Sequence, residues 1–209
     1  MLALQAEGIC MTEQQTEDHI AEWQRIVQEG NDAYARRRYT EAELAFIAAL
    51  RIVEKAGSSE ELSKLSEEEQ VAAKTRLAKS LNNMAALYHT QGKYNMAEDL
   101  YKRCLELKKE THGDEHLEVA ISLHNLAVLH SAKRRFADAE PLYKTALELK
   151  ERLLGVDHPE LVTLLTNYAL CLKRMDRAEE AKNMEARAEK LAPKKSDPLK
   201  IIAVQYSAE

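Results

Sequence analysis

Glycine and proline are scarce in this chain, with six of the first and four of the second in 209 residues. Aromatic side chains make up 5% and charged ones 31%. That balance suits a protein of long helices and argues against a β sandwich. No run of about 18 apolar residues is present, so no segment reads as a membrane span. A secretory leader is not visible either: the first basic residue is Arg25, and Leu2-Ala3-Leu4 is too short for an apolar core segment. The three cysteines, Cys10, Cys104 and Cys171, are odd in number and far apart, without a CxxC pair. They read as free thiols in a reducing cytosol, which places the protein in the cytoplasm. The net charge of −5 speaks against general affinity for nucleic acid or an anionic membrane surface. Catalytic phrases are missing too. The chain holds no GxSxG, GxxxxGK[ST], HExxH or GxGxxG, and its carboxylates follow exposed helix faces instead of forming an acid/base pair. An enzyme is therefore not expected, nor a cofactor.

What the chain has is a sentence written twice. Ser80 to His116 reads SLNNMAALYHTQGKYNMAEDLYKRCLELKKETHGDEH, and Ser122 to His158 reads SLHNLAVLHSAKRRFADAEPLYKTALELKERLLGVDH, 42 residues later. Leu81 returns as Leu123, Asn83 as Asn125, Ala85 as Ala127, Ala97 as Ala139, Tyr101 as Tyr143 and Gly113 as Gly155. A fixed period of this size marks stacked repeats. Each copy splits into two helical halves. Leu81, Met84, Ala85 and Tyr88 share one face of the first, and Ala97, Leu100, Tyr101, Cys104 and Leu105 one face of the second. Gln91-Gly92-Lys93 separates the halves. Gly113 is placed to close the second half in the left-handed conformation, and Pro159 to occupy the first turn of the next helix.

The alternation of small and large residues, the GKY and LYK phrases and the LGVDHPE loop (Leu154 to Glu160) resemble the tetratricopeptide repeat family, and within it the long-period repeats of kinesin light chains. The resemblance covers about residues 23–193. It implies an all-α fold: a right-handed superhelical solenoid of about four antiparallel helix pairs, whose first helices line the concave surface. The usual period is 34 residues. Eight more amount to about two helical turns, which lengthens helices with little rotation of the packed faces.

Taken in order, residues 1–20 are polar, acidic and without a sustained period, so they are expected to be mobile, with Met11 an alternative start. The repeat domain then runs over 21–193, with units at about 21–56, 67–113, 116–155 and 159–193. In the first unit Arg38-Tyr39-Thr40 is expected to make the turn. Gly30 lies inside a helix, at a cost of about 1 kcal/mol against Ala. Close helix–helix approach is the expected compensation, as at Ala85, Ala127 and Ala169. Trp23, the only tryptophan, is expected to cover the exposed end of the stack. Gly57-Ser58-Ser59 reads as a loop, and Ser66 with Glu69 fits a capping box that starts a helix at Glu67. The second helix of the last unit is charged on most faces, as a terminal repeat needs, and Pro193 is expected to end it. The tail, 194–209, carries Leu199-Lys200-Ile201-Ile202-Ala203-Val204. It either packs on the last helix or in a groove, or stays partly ordered.

His112 and His116 have a spacing that can hold a metal on a helix, but Gly113 lies between them and His116 recurs as His158. A role in the repeat itself is the better reading, and no metal site is expected. Asparagines are more informative. Asn83, Asn125 and Asn167 recur in register on three first helices. If those helices line the concave surface, the amides form a ladder, and a carboxamide can match both the N–H and the C=O of an extended peptide. The other reading is that each Asn bonds a neighbouring helix and orders the stack. Asn31 and Asn83 also match the amide part of the clamp with which some repeat proteins hold the acidic tails of heat-shock chaperones. The places of that clamp's basic partners hold Val27, Ile121 and Asn125, so a free carboxylate finds no charge-assisted partner there. Residues 1–22 are too short and irregular for the heptad segment that precedes the repeats of kinesin light chains, and a motor-adaptor role is not implied.

The candidate site is therefore Asn31, Asn83, Asn125 and Asn167. The expected function is a non-catalytic interaction module that binds an extended peptide or partner segment of mixed polarity in its groove. The alternative is a self-associating scaffold, a homo-oligomer joined through the tail or the convex faces.

Overall fold

A computed structural model describes residues 13–56, 63 and 65–192. Among them lie eight helices: α1 (Glu13–Ala35), α2 (Tyr39–Ala56), α3 (Glu67–Thr90), α4 (Tyr94–His112), α5 (Leu117–Ala132), α6 (Phe136–Leu154), α7 (Leu161–Arg174) and α8 (Ala178–Leu191). The fold is all-α, and successive helices pair into hairpins. Helix α1 begins at Glu13, so residues 13–20, expected to be mobile, form its first two turns instead. The expected loop at Gly57-Ser58-Ser59, the stop at Pro193, the tail, Cys10 and the start at Met11 lie outside the described residues.

One turn design serves all four hairpins. The middle residue of three has a positive φ: Arg37 (59°), Gly92 (74°), Arg134 (58°) and Asp176 (60°). The next residue's N–H reaches back five positions, as from Lys93 to the carbonyl of Tyr88 (2.8 Å) and from Arg135 to His130 (2.9 Å). These bonds satisfy carbonyls that a helix end would otherwise strand. In the first unit the turn is Arg36-Arg37-Arg38, two residues earlier than expected, and Tyr39 already opens α2. Arginine at the left-handed position disguises the turn, because glycine is its usual signal.

The chain forms two compact units, one through Leu107 and one from Lys108. In the first, Trp23, Val27, Ala49, Val53, Leu77, Ala78, Leu81 and Cys104 make one buried cluster. Trp23 is thus an interior residue of α1, not a cover for an exposed end. The indole N–H donates to Ser80 Oγ at 2.8 Å, which settles the one polar group that burial would penalise. Cys104 is wholly buried and donates weakly to the carbonyl of Ala78, fitting its role as a small packing residue. Ser66 opens α3 with the expected capping box: its N–H donates to Glu69 Oε2 (2.8 Å), and its Oγ accepts from the Glu69 N–H (3.3 Å).

In the second unit Tyr143 stacks on Tyr168, with ring centroids 5.5 Å apart, among fully buried Leu161, Leu164 and Leu165. Histidines start the first helices here. His116 Nδ1 accepts from the Glu118 N–H (3.2 Å), and His158 Nδ1 from Glu160 (3.3 Å). His116 is thereby the N-cap of α5, and His158 makes the same bond in the turn just ahead of α7. After His158 the chain makes a tight i→i+3 turn, with Val162 N–H donating to the Pro159 carbonyl, and regular α-helix begins at Leu161. Pro159 sits in that lead-in turn, two residues ahead of the helix it was expected to open.

Small residues at fixed places set the spacing. Ala42, Ala97, Ala139 and Ala181 recur at the fourth position of each second helix, all with no exposure. A Cβ built on Gly30 would lie 2.5 Å from Phe46 Cε1, and Phe46 is itself buried. Gly30→Ala should therefore destabilise the protein by about 1–3 kcal/mol through overpacking, although alanine is the better helix former. Phe46→Leu in the same chain should recover part of that loss in urea unfolding. At Gly92 nothing lies within 4 Å of the added methyl. Gly92→Ala should cost only the backbone strain of a positive φ, about 1–2 kcal/mol.

Candidate functional site

The asparagines lie half-buried on the first helix of each hairpin. In the first unit Asn83 Nδ2 donates to Asn31 Oδ1 across α3 and α1, at 3.4 Å. Asn31 does not share the address of the others: it stands eight residues before Tyr39, whereas Asn83 stands eleven before Tyr94. It is the acceptor that meets the next repeat's amide. Close by, Tyr34 and Thr90 share a hydroxyl hydrogen bond of 2.7 Å. In the second unit Asn167 Nδ2 lies 3.0 Å from His124 Nε2. An amide nitrogen can only donate, so this imidazole nitrogen accepts and the ring proton is on Nδ1. Both bonds tie first helices of adjacent repeats, which is the ordering role. Each uses one N–H of a carboxamide that has two, and neither uses the carbonyl oxygen of Asn83 or Asn167. Asn125 sits half-buried on α5.

The electrostatics around these helices serve packing. Burial, helped by the nearby Lys150 charge, holds His124 down to a pKa of about 4, so it is neutral at pH 7. Burial pushes the Tyr143 phenol up to about 12. Ion pairs link second helices to the following repeat at recurring places. Glu43 accepts from Lys93 (3.2 Å), and Glu140, two repeats later, from Arg177. Glu54 with Arg103 (2.8 Å) recurs as Glu151 with Arg187. Lys108, itself buried, meets Glu118 at 2.6 Å, and Lys150 lies 3.9 Å from Glu160. The hydrogen bond from Gln91 is the main reason the Glu43 carboxyl is held below its ordinary range. His112 and His116 stack at 4.3 Å, but among the described residues no three His, Cys, Asp or Glu side chains come together as a metal site would need.

Two cavities open in the second unit. One, of about 420 Å³, is bordered by charges that are already paired, Lys109 with Asp114 (2.8 Å) and Arg152 with Glu115 (2.9 Å). The other, of about 510 Å³, contains Asn167 in its wall together with Arg134, Phe136, Tyr143, Leu170 and Arg174. Sequence reading found only Asn167 of this set. Two signals were available: an arginine where the second hairpin uses Gly92, and Leu170 on the polar side of α7.

A sequence profile of the tetratricopeptide repeat matches residues 76–151 and 131–194, together more than half of the chain. No curated protein sequence matches. Among solved structures, BtubC (BKLC) from P. vanneervenii is similar at 24% identity and a TM-score of 0.54, over 87% of this chain and 74% of that one. The nearly identical TPR-like repeats of a putative kinesin light chain from Podosopora anserina are similar at 15% identity and a TM-score of 0.51, over 81% and 94%. Both are likenesses of fold.

The His124 geometry has a consequence in acid. Between about pH 4 and 6.5 the unfolded chain binds a proton at this residue and the folded chain does not, so stability falls as pH drops through that window and is level above it. The protonated ring could no longer accept from Asn167. The contribution is on the order of 3 kcal/mol at most. His124→Gln keeps an acceptor without the titration. Urea midpoints at about pH 7.5 and 4.5 should therefore differ less in this variant than in the parent chain, and an equal difference would contradict the assignment.

Proposed function

Because the chain belongs to the tetratricopeptide repeat family, whose repeats generally mediate protein–protein interaction, we propose that it is a non-catalytic module that binds an extended segment of a partner protein along the face of its first helices. The recurring, half-buried amides support this most. Asn83 and Asn167 are held in place by bonds to neighbouring helices, and each keeps an N–H and a carbonyl oxygen for a peptide backbone. A side chain fixed in this way loses little further freedom when a ligand binds. A cytoplasmic setting goes with this reading: Cys104 and Cys171 are both free and buried, and no described helix is long and apolar enough to cross a membrane. The second reading, a self-associating scaffold, draws on Leu44 and Met96, which stand 66% and 50% exposed on second helices.

Affinity capture from a native cell extract separates the two. Asn83→Ala with Asn125→Ala should lose the captured partner while circular dichroism stays unchanged; undiminished capture by a folded variant would refute the amide contacts. Light scattering over a concentration series should show one mass throughout, and a mass that grows with concentration would favour the scaffold.

A further inference from the structure

A bridge between second helices recurs in this chain and is broken once. The sixteenth residue of one second helix meets the tenth residue of the next. Glu54 of α2 accepts from Arg103 of α4 at 2.8 Å, and Glu151 of α6 accepts from Arg187 of α8. The thirteenth residue of α8, Lys190, adds a second link, to Asp157 at 3.3 Å. Between the last turn of α4 and α6 the matching residues cannot pair. The sixteenth of α4 is Lys109, and the tenth of α6 is Thr145. Lys109 turns to Asp114, and Thr145 Oγ1 donates to the Pro141 carbonyl of its own helix (2.9 Å).

The 420 Å³ cavity opens where this bridge is missing. Val119, Leu123 and Leu149 give it an apolar floor. Glu148, at the thirteenth place of α6, stands exposed on the rim and forms no ion pair among the described residues. Asp114, Glu115 and Glu148 face only Lys109 and Arg152 there, so the rim keeps one negative charge over.

We propose that this cavity takes an arginine side chain from a basic segment of a partner protein, which supplies the cation that the repeat lacks at this junction. The aliphatic stem lies on the three apolar residues, and the guanidinium pairs with Glu148. Glu115 joins it at little cost, because its bond to Arg152 lies in solvent, with side chains 71% and 57% exposed. A planar fork suits two carboxylates better than an ammonium does. The net charge of −5 draws basic segments to the whole chain, and the open junction gives them one place to anchor. The site uses none of the asparagines, so it is a second surface, for a segment other than the one bound at the amides.

The probe is a capped, labelled glycine–serine peptide with three arginines, titrated with the full chain. It should bind about tenfold more tightly than the same peptide with neutral citrullines, and the gap should close at about 0.5 M salt. Glu148→Gln should weaken it about three- to tenfold. Lys109→Glu with Thr145→Arg rebuilds the bridge inside the chain and should abolish binding while circular dichroism stays unchanged. That pair of changes removes two positive charges and returns one, so general attraction to a basic peptide would rise. Glu106→Gln, at the thirteenth place of α4 where Arg103 and Glu54 already bridge, should change nothing. Equal affinity for the arginine and citrulline peptides, or full binding by the rebuilt variant, overturns the proposal. So does tighter binding of a glutamate peptide, which would put an anion at Lys109. Loss of the arginine peptide with Asn83→Ala and Asn125→Ala would move it to the first helices and overturn this site as well.

Discussion

Where two helices cross, the side chain between them sets how close they can come. In this protein that side chain is kept small at the same address in every repeat: Gly30, Ala85, Ala127 and Ala169 on the first helices, Ala42, Ala97, Ala139 and Ala181 on the second. Apart from Gly30, where a Cβ would strike the Phe46 ring, each is fully buried. Close approach is what lets Phe46, Tyr101 and Tyr143 be buried in hairpins only two helices thick. Each such ring removes roughly 150–250 Å² from water. A larger residue at any small address would separate the helices and expose the ring behind it.

Polar groups follow the same period. The second helices send Glu43, Glu54, Glu140 and Glu151 to cations of the following repeat, and His116 and His158 make the same backbone bond ahead of α5 and α7. Most of these pairs are half-exposed, so each contributes little to stability. Their fixed positions instead specify which helix faces meet. With the second helices occupied in this way, the amides are left on the first helices.

Much of the fold was legible because it is local. The 42-residue echo, the capping box at Ser66 and the break at Gln91-Gly92-Lys93 each need only a few neighbouring residues to be recognised. Trp23 was misread because its place depends on Ser80, 57 positions away. The turn at Arg37 was displaced because arginine replaces glycine there. The register showed where the amides recur, but not that Asn83 would bond Asn31 and Asn167 would bond His124. The cavity at Arg134 and Arg174 was legible only in fragments: the arginine at the place of Gly92, and Leu170 on the polar side of α7. Those residues are far apart in sequence, and only the packing of α7 beside α5 brings them to one rim.

The central claim is that a partner polypeptide lies against the first helices while the second helices hold the protein together. Amide hydrogen exchange on the full chain, alone and with its captured partner, tests this most directly. The account predicts slowed exchange in α5, α7 and the turn at Arg134 when the partner is bound, with α6 and α8 little changed. Slowing confined to the second helices, or none in α5 and α7, would contradict it.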